Sequence, residues 1–224
     1  MGVSLYSPRI PVRCLAFVTD RKRCGGRPLE TVVDEAVSGG VNLVQLREKD
    51  LPASELYDLA VRLRGVIQHR ALLFVNDRVD VALACGADGV QLGEHALPVV
   101  AARAVAGHRL LIGRSVHGVE AAIAAANEGA DLLVAGTIFP SASHPSEVPQ
   151  GLTLTEGITE RAWVPVLAIG GITAGNVGSV MRSGVAGAAV ITAISFSPDP
   201  RAAARGLLIA MTDAAVAAKE TKRP

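Results

Sequence analysis

Eight short apolar segments alternate with eight alanine-rich segments along almost the whole chain, and this alternation predicts a single-domain α/β fold of the (β/α)8 TIM-barrel class. The apolar segments are continuous runs of Val, Ile and Leu, as expected for parallel strands that are buried on both faces. Eight βα units in 224 residues average about 28 residues each, which lies at the lower end of the range for closed barrels.

The order of the elements follows from hydrophobic periodicity. The predicted strands cover residues 14–18, 41–46, 72–75, 89–92, 110–113, 132–135, 166–169 and 188–191. The predicted helices cover residues 29–38, 54–69, 79–85, 98–106, 119–128, 155–161, 174–183 and 201–218. One barrel domain is predicted to span residues 1–224, with flexible termini at 1–12 and 219–224 and an active-site loop at 137–152.

A weak internal repeat supports this count of eight units. Gly40, Gly86, Gly129 and Gly184 each stand between a predicted helix and the next strand, at the entries to strands two, four, six and eight. Glycine suits the left-handed residue just past a helix C-terminus. The alternative is a doubly wound open sheet, which is disfavoured because no GxGxxG motif follows the first strand.

Composition excludes several classes of function. The chain has 22 basic and 21 acidic residues, and this formal charge of +1 gives no electrostatic basis for binding nucleic acid or an anionic membrane. No apolar run approaches the ~18 residues that cross a bilayer, and no signal peptide is recognised. The three cysteines include no CxxC motif. A cytoplasmic protein that acts on a small molecule is expected, and a homo-oligomer stays open.

Polar side chains gather where the predicted strands end, which is where TIM barrels carry their chemistry. Gln45, Arg47 and Lys49 follow strand two, and alternation along the strand points them to one side. Two cations and an amide facing one way can bind a phosphate or diphosphate. The alternative is a surface network of Arg47, Glu48 and Lys49.

Two further strand ends carry candidate residues. Asn76 and Asp77 follow strand three, where Asp77 suits either the N-cap of the next helix or a Mg²⁺ ligand. His117 lies beside Ser115 after strand five, and its imidazole can exchange protons near neutral pH. A histidine that merely caps the following helix is the alternative for His117. The histidines lack metal-ligand spacing, so no zinc site is predicted.

The last three strand ends predict a phosphate site and a substrate-binding loop. Gly170 and Gly171 follow strand seven, and Ile191 and Thr192 lie at the end of strand eight. TIM barrels often bind phosphate through backbone N–H groups of these two loops, and glycine lets the backbone approach an anion closely. The loop after strand six contributes two candidate substrate-binding hydroxyls, those of Ser141 and Ser143.

Eight segments, taken in chain order, resemble the thiamine phosphate synthase and TenI superfamily of (β/α)8 barrels. They span nearly the whole chain, at residues 17–20, 44–49, 76–80, 86–92, 112–117, 129–131, 136–140 and 168–172. The resemblance implies an enzyme of thiamine biosynthesis that acts on a thiazole phosphate.

The resemblance also indicates a branch of the superfamily. The synthase branch joins a hydroxymethylpyrimidine diphosphate to a thiazole phosphate with Mg²⁺, and its pattern has an Asp where this chain has Ala96. It also has Thr-x-Thr-Lys where this chain has Ser-Ala-Ser-His at 141–144. TenI-type proteins carry the Ile-Gly-Arg-Ser-Val-His found at 112–117 and the Val-Gln-Leu found at 90–92. The resemblance to this second branch implies a thiazole tautomerase.

The leading expectation is therefore an isomerase, free of metal and cofactor, that aromatises a carboxythiazole phosphate by a proton shift through His117. The first alternative is thiamine phosphate synthase, a transferase that releases pyrophosphate and uses Mg²⁺, with Asp77 as a metal ligand. The segments 45–49 and 76–78 are synthase-like. The second alternative is a non-catalytic regulator that binds a thiamine precursor.

Overall fold

Eight parallel strands close into a barrel in the computed structural model, which describes residues 9–141 and 148–220. Each strand pairs with its neighbours in chain order, and the last strand pairs with the first. The predicted (β/α)8 barrel is thus confirmed. The strands are β1 Cys14–Val18, β2 Leu43–Leu46, β3 Leu72–Asn76, β4 Gly89–Leu92, β5 Leu111–Val116, β6 Leu132–Ala135, β7 Val166–Ile169 and β8 Gly187–Val190.

Nine helices within the described residues connect and cover the strands. They are α1 Leu29–Ser38, α2 Ala53–Ile67, α3 Val79–Ala84, α4 Val99–Ala106, α5 Val119–Asn127, α6 Leu152–Thr159, α7 Val177–Arg182, α8 Thr192–Ser195 and α9 Pro200–Glu220. The one-turn helix α8 and a 3-10 helix at Arg21–Arg23 were not predicted, because one turn is too short to show helical periodicity. None of the described helices is long and apolar enough to span a bilayer.

Two apolar layers fill the molecule. One lies between the sheet and the helices and includes Leu15 and Phe17, while the other lies inside the barrel and includes Ala16 and Phe74. Successive strand residues alternate between the layers because strand side chains have a period of two. A Cβ on Gly89 would lie 2.5 Å from the Phe74 ring, so this glycine makes room for the largest interior side chain.

The predicted repeat has a structural purpose at the amino-terminal end of the barrel. Two residues past the repeat glycine, Asn42, Asp88 and Asp131 each form a reciprocal pair with the strand that precedes them. The backbone N–H of Asp88 donates to the Leu73 carbonyl oxygen at 2.9 Å, and its carboxylate accepts from the Leu73 N–H at 2.7 Å. Asn42 pairs in this way with Leu15, and Asp131 with Ile112. The fourth repeat has Ala186 at this position, which has no side-chain acceptor.

Arginine side chains reinforce two of these pairs. Arg64 approaches Asp88 at 2.9 Å as an ion contact without hydrogen-bond alignment, and it donates to the Gly86 carbonyl oxygen. Arg103 likewise donates to the Gly129 carbonyl oxygen, and it also donates a hydrogen bond to the Asp131 carboxylate. Through its aspartate partner, each of these two arginines connects its own helix, α2 or α4, to the amino-terminal end of the strand that follows that helix.

Replacing Asp88 by alanine is expected to lower the free energy of unfolding by about 3 kcal/mol, because a buried N–H loses its acceptor and Arg64 loses its partner. Asp88→Asn keeps an acceptor for the Leu73 N–H and is expected to cost about 1 kcal/mol. Urea denaturation measures both values. The exposed Asp80 pairs with Arg78 at the surface, and Asp80→Ala is the control. Equal losses for Asp88→Ala and Asp80→Ala would contradict this role.

Three parts of the predicted domain lie wholly or partly outside the described residues. They are the terminal segments 1–8 and 221–224 and the loop segment 142–147, which includes Ser143. Within the described part, the cysteines are free thiols, and burial raises the pKa of Cys14 to about 12.

Candidate active site

A cavity of about 520 Å³ opens at the carboxyl ends of the strands. Its floor is apolar and includes Val18, Val134, Ile169 and Ala189. Its walls include every predicted site residue within the described part of the chain, namely Gln45, Arg47, Lys49, Asn76, Asp77, Ser115, His117, Ser141, Gly170, Gly171, Ile191 and Thr192. The structure thus brings together groups from six strand ends.

Strand alternation explains how the polar groups reach the cavity. Gln45 follows Leu43 on the interior face of β2, and Asn76 follows Phe74 on the interior face of β3. The same spacing places Ser115 two residues after Gly113 on β5. The last interior layer of the barrel is therefore polar where the layer below it is apolar.

The amides in this layer are held by a chain of hydrogen bonds. Gln45 Nε2 donates to Asn76 Oδ1 at 2.9 Å, and Asn76 Nδ2 donates to Asp77 Oδ2 at 2.8 Å. The Gly93 N–H donates to Asp77 Oδ1 at 2.7 Å. Asp77 adopts a left-handed φ of 60°, which is unusual for a residue other than glycine and is typical of constrained functional turns.

A magnesium ion shared with a diphosphate would fit the acidic side of the cavity. Asp77 and Glu94 line the same cavity, while the described residues contain no cluster of three or more His, Cys, Asp or Glu. Mg²⁺ commonly binds one or two carboxylates and takes its other oxygens from water and substrate phosphates. Asp77 keeps unused lone pairs on both hydrogen-bonded oxygens. The residue at 96 is Ala, which offers no ligand.

In the segment after β2, the basic and acidic side chains point to opposite sides. Arg47 and Lys49 line the cavity, whereas Glu48 is buried and accepts hydrogen bonds from Thr19 Oγ1 at 2.7 Å and from Arg21 Nη1 at 3.0 Å. The interpretation as an open surface network is therefore wrong for Glu48, whose carboxylate points away from the cavity into the β1–α1 loop.

The geometry of His117 fixes its tautomer. Its Nδ1 lies 2.6 Å from the Gly136 carbonyl oxygen, and a carbonyl can only accept, so Nδ1 carries the proton when the ring is neutral. Nε2 is then an acceptor. Ser115 Oγ accepts a hydrogen bond from Gln91 Nε2 at 3.1 Å, which leaves its hydroxyl hydrogen for another acceptor.

The glycine turn after β7 depends on close backbone packing. Gly171 has a φ of 61°, and a Cβ there would lie 2.4 Å from the Pro140 carbonyl oxygen. Asn176 holds the turn, because its Nδ2 donates to the Gly171 carbonyl oxygen and its Oδ1 accepts from the Thr173 N–H. The turn is thus held by side-chain hydrogen bonds and lies directly against the β6–α6 loop.

The end of β8 supplies backbone donors to the same cavity. Ile191 precedes the first residue of α8, and both Ile191 and Thr192 line the cavity. The first N–H groups of a helix have no partner within the helix, so they are available to an anion. The unpredicted helix α8 thus directs these amides.

Sequence reasoning missed several other residues of this cavity. Gly93, Gly136 and Thr173 line it through the loops of three strands, and Pro140 does so beside the glycine turn. Their only sequence signal is position, since Gly93 and Gly136 directly follow predicted strands, and Thr173 and Pro140 lie within a few residues of the Gly-Gly pair and of strand six. The 3-10 helix after β1 was also missed, and it contains Arg21, one of the two partners of Glu48.

Comparison with protein families matches residues 15–194 to the model described as thiamine monophosphate synthase. A putative thiamine-phosphate synthase of Geobacter sulfurreducens is 46% identical over 196 residues, which cover 87% of this chain and 92% of that protein. The thiamine-phosphate synthase of Roseiflexus castenholzii is 43% identical over 192 residues, covering 85% and 84% of the two chains.

Solved structures agree with this similarity. The thiamine phosphate pyrophosphorylase from Pyrococcus furiosus superposes with a TM-score of 0.83 at 40% identity, covering 90% of this chain and 96% of that one. A 3-hexulose-6-phosphate synthase superposes with a TM-score of 0.69 at 20% identity, covering 88% and 99%, and shows the shared fold alone.

These findings correct the predicted activity. The expectation of an isomerase is wrong, because the relatives at 41–46% identity are thiamine-phosphate synthases, which are transferases. The two motifs that suggested the TenI-type branch have structural explanations. Gln91 is buried and holds Ser115, and the His117 ring is oriented by the Gly136 carbonyl oxygen. Neither contact requires a proton shift in the substrate.

Proposed function

Since the family model and these relatives match most of its length, the chain belongs to the thiamine monophosphate synthase and TenI superfamily of thiamine biosynthesis, and we propose that it is a thiamine-phosphate synthase. In the proposed reaction, the bond between the pyrimidine's methylene carbon and the diphosphate oxygen breaks. The thiazole ring nitrogen forms a bond to that carbon, and pyrophosphate leaves with the electron pair.

The observation that carries the proposal is that one cavity is lined by two kinds of group that can bind an anion. Cationic side chains from β2 lie on one part of its wall, and backbone donors at the ends of β7 and β8 lie on another. A synthase must hold a diphosphate and a monophosphate at once, whereas a tautomerase of a thiazole phosphate has only one phosphate to bind.

Arg47 and Lys49 are proposed to bind the diphosphate. The guanidinium can donate two parallel hydrogen bonds to phosphate oxygens, and the ammonium adds a compact charge. Negative charge on the diphosphate grows as the carbon–oxygen bond breaks, so these cations stabilise the transition state more than the ground state.

The turn at Gly170 and Gly171 and the amides of Ile191 and Thr192 are proposed to bind the thiazole phosphate. Backbone N–H groups suit a phosphate because they are fixed in direction and cost no side-chain entropy. The phosphate is thereby anchored so that the thiazole ring nitrogen can approach the reacting carbon in the middle of the cavity.

The amides and hydroxyls between these two sites are proposed to orient the pyrimidine. Gln45 and Asn76 are already fixed by their mutual hydrogen bond, so they lose little entropy when they bind a ligand. Ser115 has a hydroxyl hydrogen to donate, and His117 Nε2 has a lone pair to accept. Ser141, and Ser143 outside the described residues, are proposed to contact substrate from the loop.

Asp77, with Glu94 on the same cavity wall, would hold Mg²⁺ together with the substrate diphosphate. The ion would supply further neutralisation of the diphosphate when bound. Asp77 itself is pre-positioned for this task, because the Gly93 N–H and the Asn76 amide fix the direction of its carboxylate.

A coupled assay tests the proposal. With hydroxymethylpyrimidine diphosphate, thiazole phosphate and Mg²⁺, the purified protein is expected to form thiamine phosphate and pyrophosphate in equal amounts. Omission of thiazole phosphate is the control and should suppress pyrophosphate release. Binding of thiazole phosphate without formation of either product would contradict the proposal and would indicate a regulatory protein.

A further inference from the structure

The β1–α1 loop contacts the segment after β2 through three sets of interactions. The loop residues that make them, Thr19, Arg21 and Lys22, do not line the cavity. Thr19 Oγ1 accepts a hydrogen bond from the Arg47 N–H at 2.9 Å and donates to Glu48 Oε1 at 2.7 Å. Both directions are certain, because an N–H can only donate and a carboxylate can only accept. Thr19 therefore links the backbone of Arg47 to the side chain of Glu48.

Glu48 also binds Arg21, the first residue of the 3-10 helix. Its carboxylate accepts from the Arg21 N–H at 3.1 Å and from Arg21 Nη1 at 3.0 Å. The Arg21 guanidinium also binds both carboxylate oxygens of Asp50, and Lys22 contacts Asp50 at 2.7 Å. Hydrogen bonds from Arg21 and Lys22 hold the pKa of Asp50 below its ordinary value, so this end of the segment stays charged at neutral pH.

Because Thr19 and Glu48 are buried, this part of the network is sensitive to the loss of a hydrogen-bond partner. Thr19 is fully buried and Glu48 is 5% exposed, so neither group can replace a lost partner with bulk water. The network fixes residues 47, 48 and 50 of one short segment. The side chains of Arg47 and Lys49 leave this segment on the opposite side and line the cavity.

We propose that Thr19 and Glu48 are positioning residues, which hold the segment after β2 so that Arg47 and Lys49 face a diphosphate. The inference rests on the proposed function for the identity of the substrate, but it concerns residues that touch no substrate. Small displacements of binding groups are costly, because hydrogen bonds to phosphate oxygens depend on distance and direction.

The test compares Thr19→Val with Thr19→Ser. Valine has the shape of threonine without its hydroxyl, whereas serine keeps the hydroxyl. Thr19→Val is expected to raise the Kd for inorganic pyrophosphate with Mg²⁺ by about tenfold, and Thr19→Ser is expected to restore most of the affinity. In the synthase assay, the KM for the pyrimidine diphosphate should rise by the same factor while the KM for thiazole phosphate stays within about twofold.

Thr155→Val is the matched control. Thr155 is also fully buried, and its hydroxyl donates to the Leu152 carbonyl oxygen within α6, away from the cavity. Thr19→Val removes two buried hydrogen bonds and Thr155→Val removes one, so both variants should lose stability. Only Thr19→Val should change pyrophosphate affinity. An unchanged pyrophosphate Kd in folded Thr19→Val would overturn the inference.

Glu48→Gln provides a second test that does not depend on the folding of Thr19→Val. Removal of a negative charge near two cations would tighten pyrophosphate binding if Glu48 acted only through its charge. A positioning role predicts weaker binding, by about threefold, because glutamine keeps only one acceptor oxygen and no charge, which weakens the bridge to Arg21 and Thr19. Tighter binding by Glu48→Gln would therefore also overturn the inference.

The outcomes also separate this inference from the proposed function. A wild-type protein that forms no thiamine phosphate, but whose pyrophosphate affinity falls in Thr19→Val, would refute the synthase and keep the positioning role. An active synthase whose pyrophosphate affinity is the same in wild type and Thr19→Val would keep the function and refute the positioning role.

Discussion

Replacing Arg47 by methionine is expected to lower kcat/KM for the pyrimidine diphosphate by about 10²- to 10³-fold. The guanidinium is proposed to bind the group on which negative charge grows, and loss of one such donor commonly costs this much. Methionine keeps much of the length and apolar contact of the arginine stem, so the cavity wall should survive. Steady-state kinetics with each substrate varied in turn measures the effect.

Two further variants make the Arg47 result specific. Arg205 is exposed on α9 and does not line the cavity, so Arg205→Met should leave kcat/KM unchanged. Arg47→Lys keeps the charge but cannot donate two parallel hydrogen bonds, so an intermediate loss is expected. If Arg47→Met and Arg205→Met had equal activity, the diphosphate site would have to lie elsewhere.

Gly171→Ala is expected to raise the KM for thiazole phosphate by about 10²-fold. The new Cβ would lie 2.4 Å from the Pro140 carbonyl oxygen and 2.8 Å from Phe139 Cβ. Because its nearest neighbour is backbone, the turn and the β6–α6 loop must move apart. The amides proposed to hold the phosphate would move with them. Initial-rate kinetics and thiazole phosphate titration measure the loss.

Gly86 offers a closely matched control. Its φ of 66° resembles the 61° of Gly171, but a Cβ there would meet nothing within 4 Å. Gly86→Ala should therefore cost only the left-handed strain of about 1–2 kcal/mol in stability and leave KM unchanged. Equal KM values for Gly86→Ala and Gly171→Ala would show that the close packing of the turn does not matter for phosphate binding.

Much of the fold could be predicted because strand signals are local. Continuous apolar runs placed β1, β4, β6 and β7 at their observed bounds, and glycine marked where helices end. The 3-10 helix at Arg21–Arg23 and α8 escaped prediction because a single turn is stabilised by tertiary contacts rather than by periodicity.

The sequence predicted which residues line the site, but it did not predict the contacts that hold them in place. Strand-end positions identified the residues that line the cavity, since parallel strands end at one edge. The burial of Glu48 and the left-handed φ of Asp77 depend on contacts with the β1–α1 loop and with Gly93, which lie far away in sequence. Local alternation alone cannot show such contacts.

The prediction of a tautomerase reaction was wrong for a chemical reason. His117 presents an acceptor Nε2 because Gly136 holds the other ring nitrogen, and an acceptor can serve a proton transfer or a simple hydrogen bond equally well. A motif that conserves this orientation therefore does not specify the reaction. The two cationic side chains of Arg47 and Lys49 in the cavity wall carry more information about the substrate.

The reciprocal pairs of Asn42, Asp88 and Asp131 lie at the rim opposite the cavity, and this separation has an evolutionary consequence. Interactions that close the ring are independent of the loops that carry the chemistry. Loop residues such as Ala96 can then change without opening the ring. In a barrel held together in this way, substitutions in the loops at the carboxyl ends of the strands can change substrate specificity, while selection for folding acts on the residues at the amino-terminal ends.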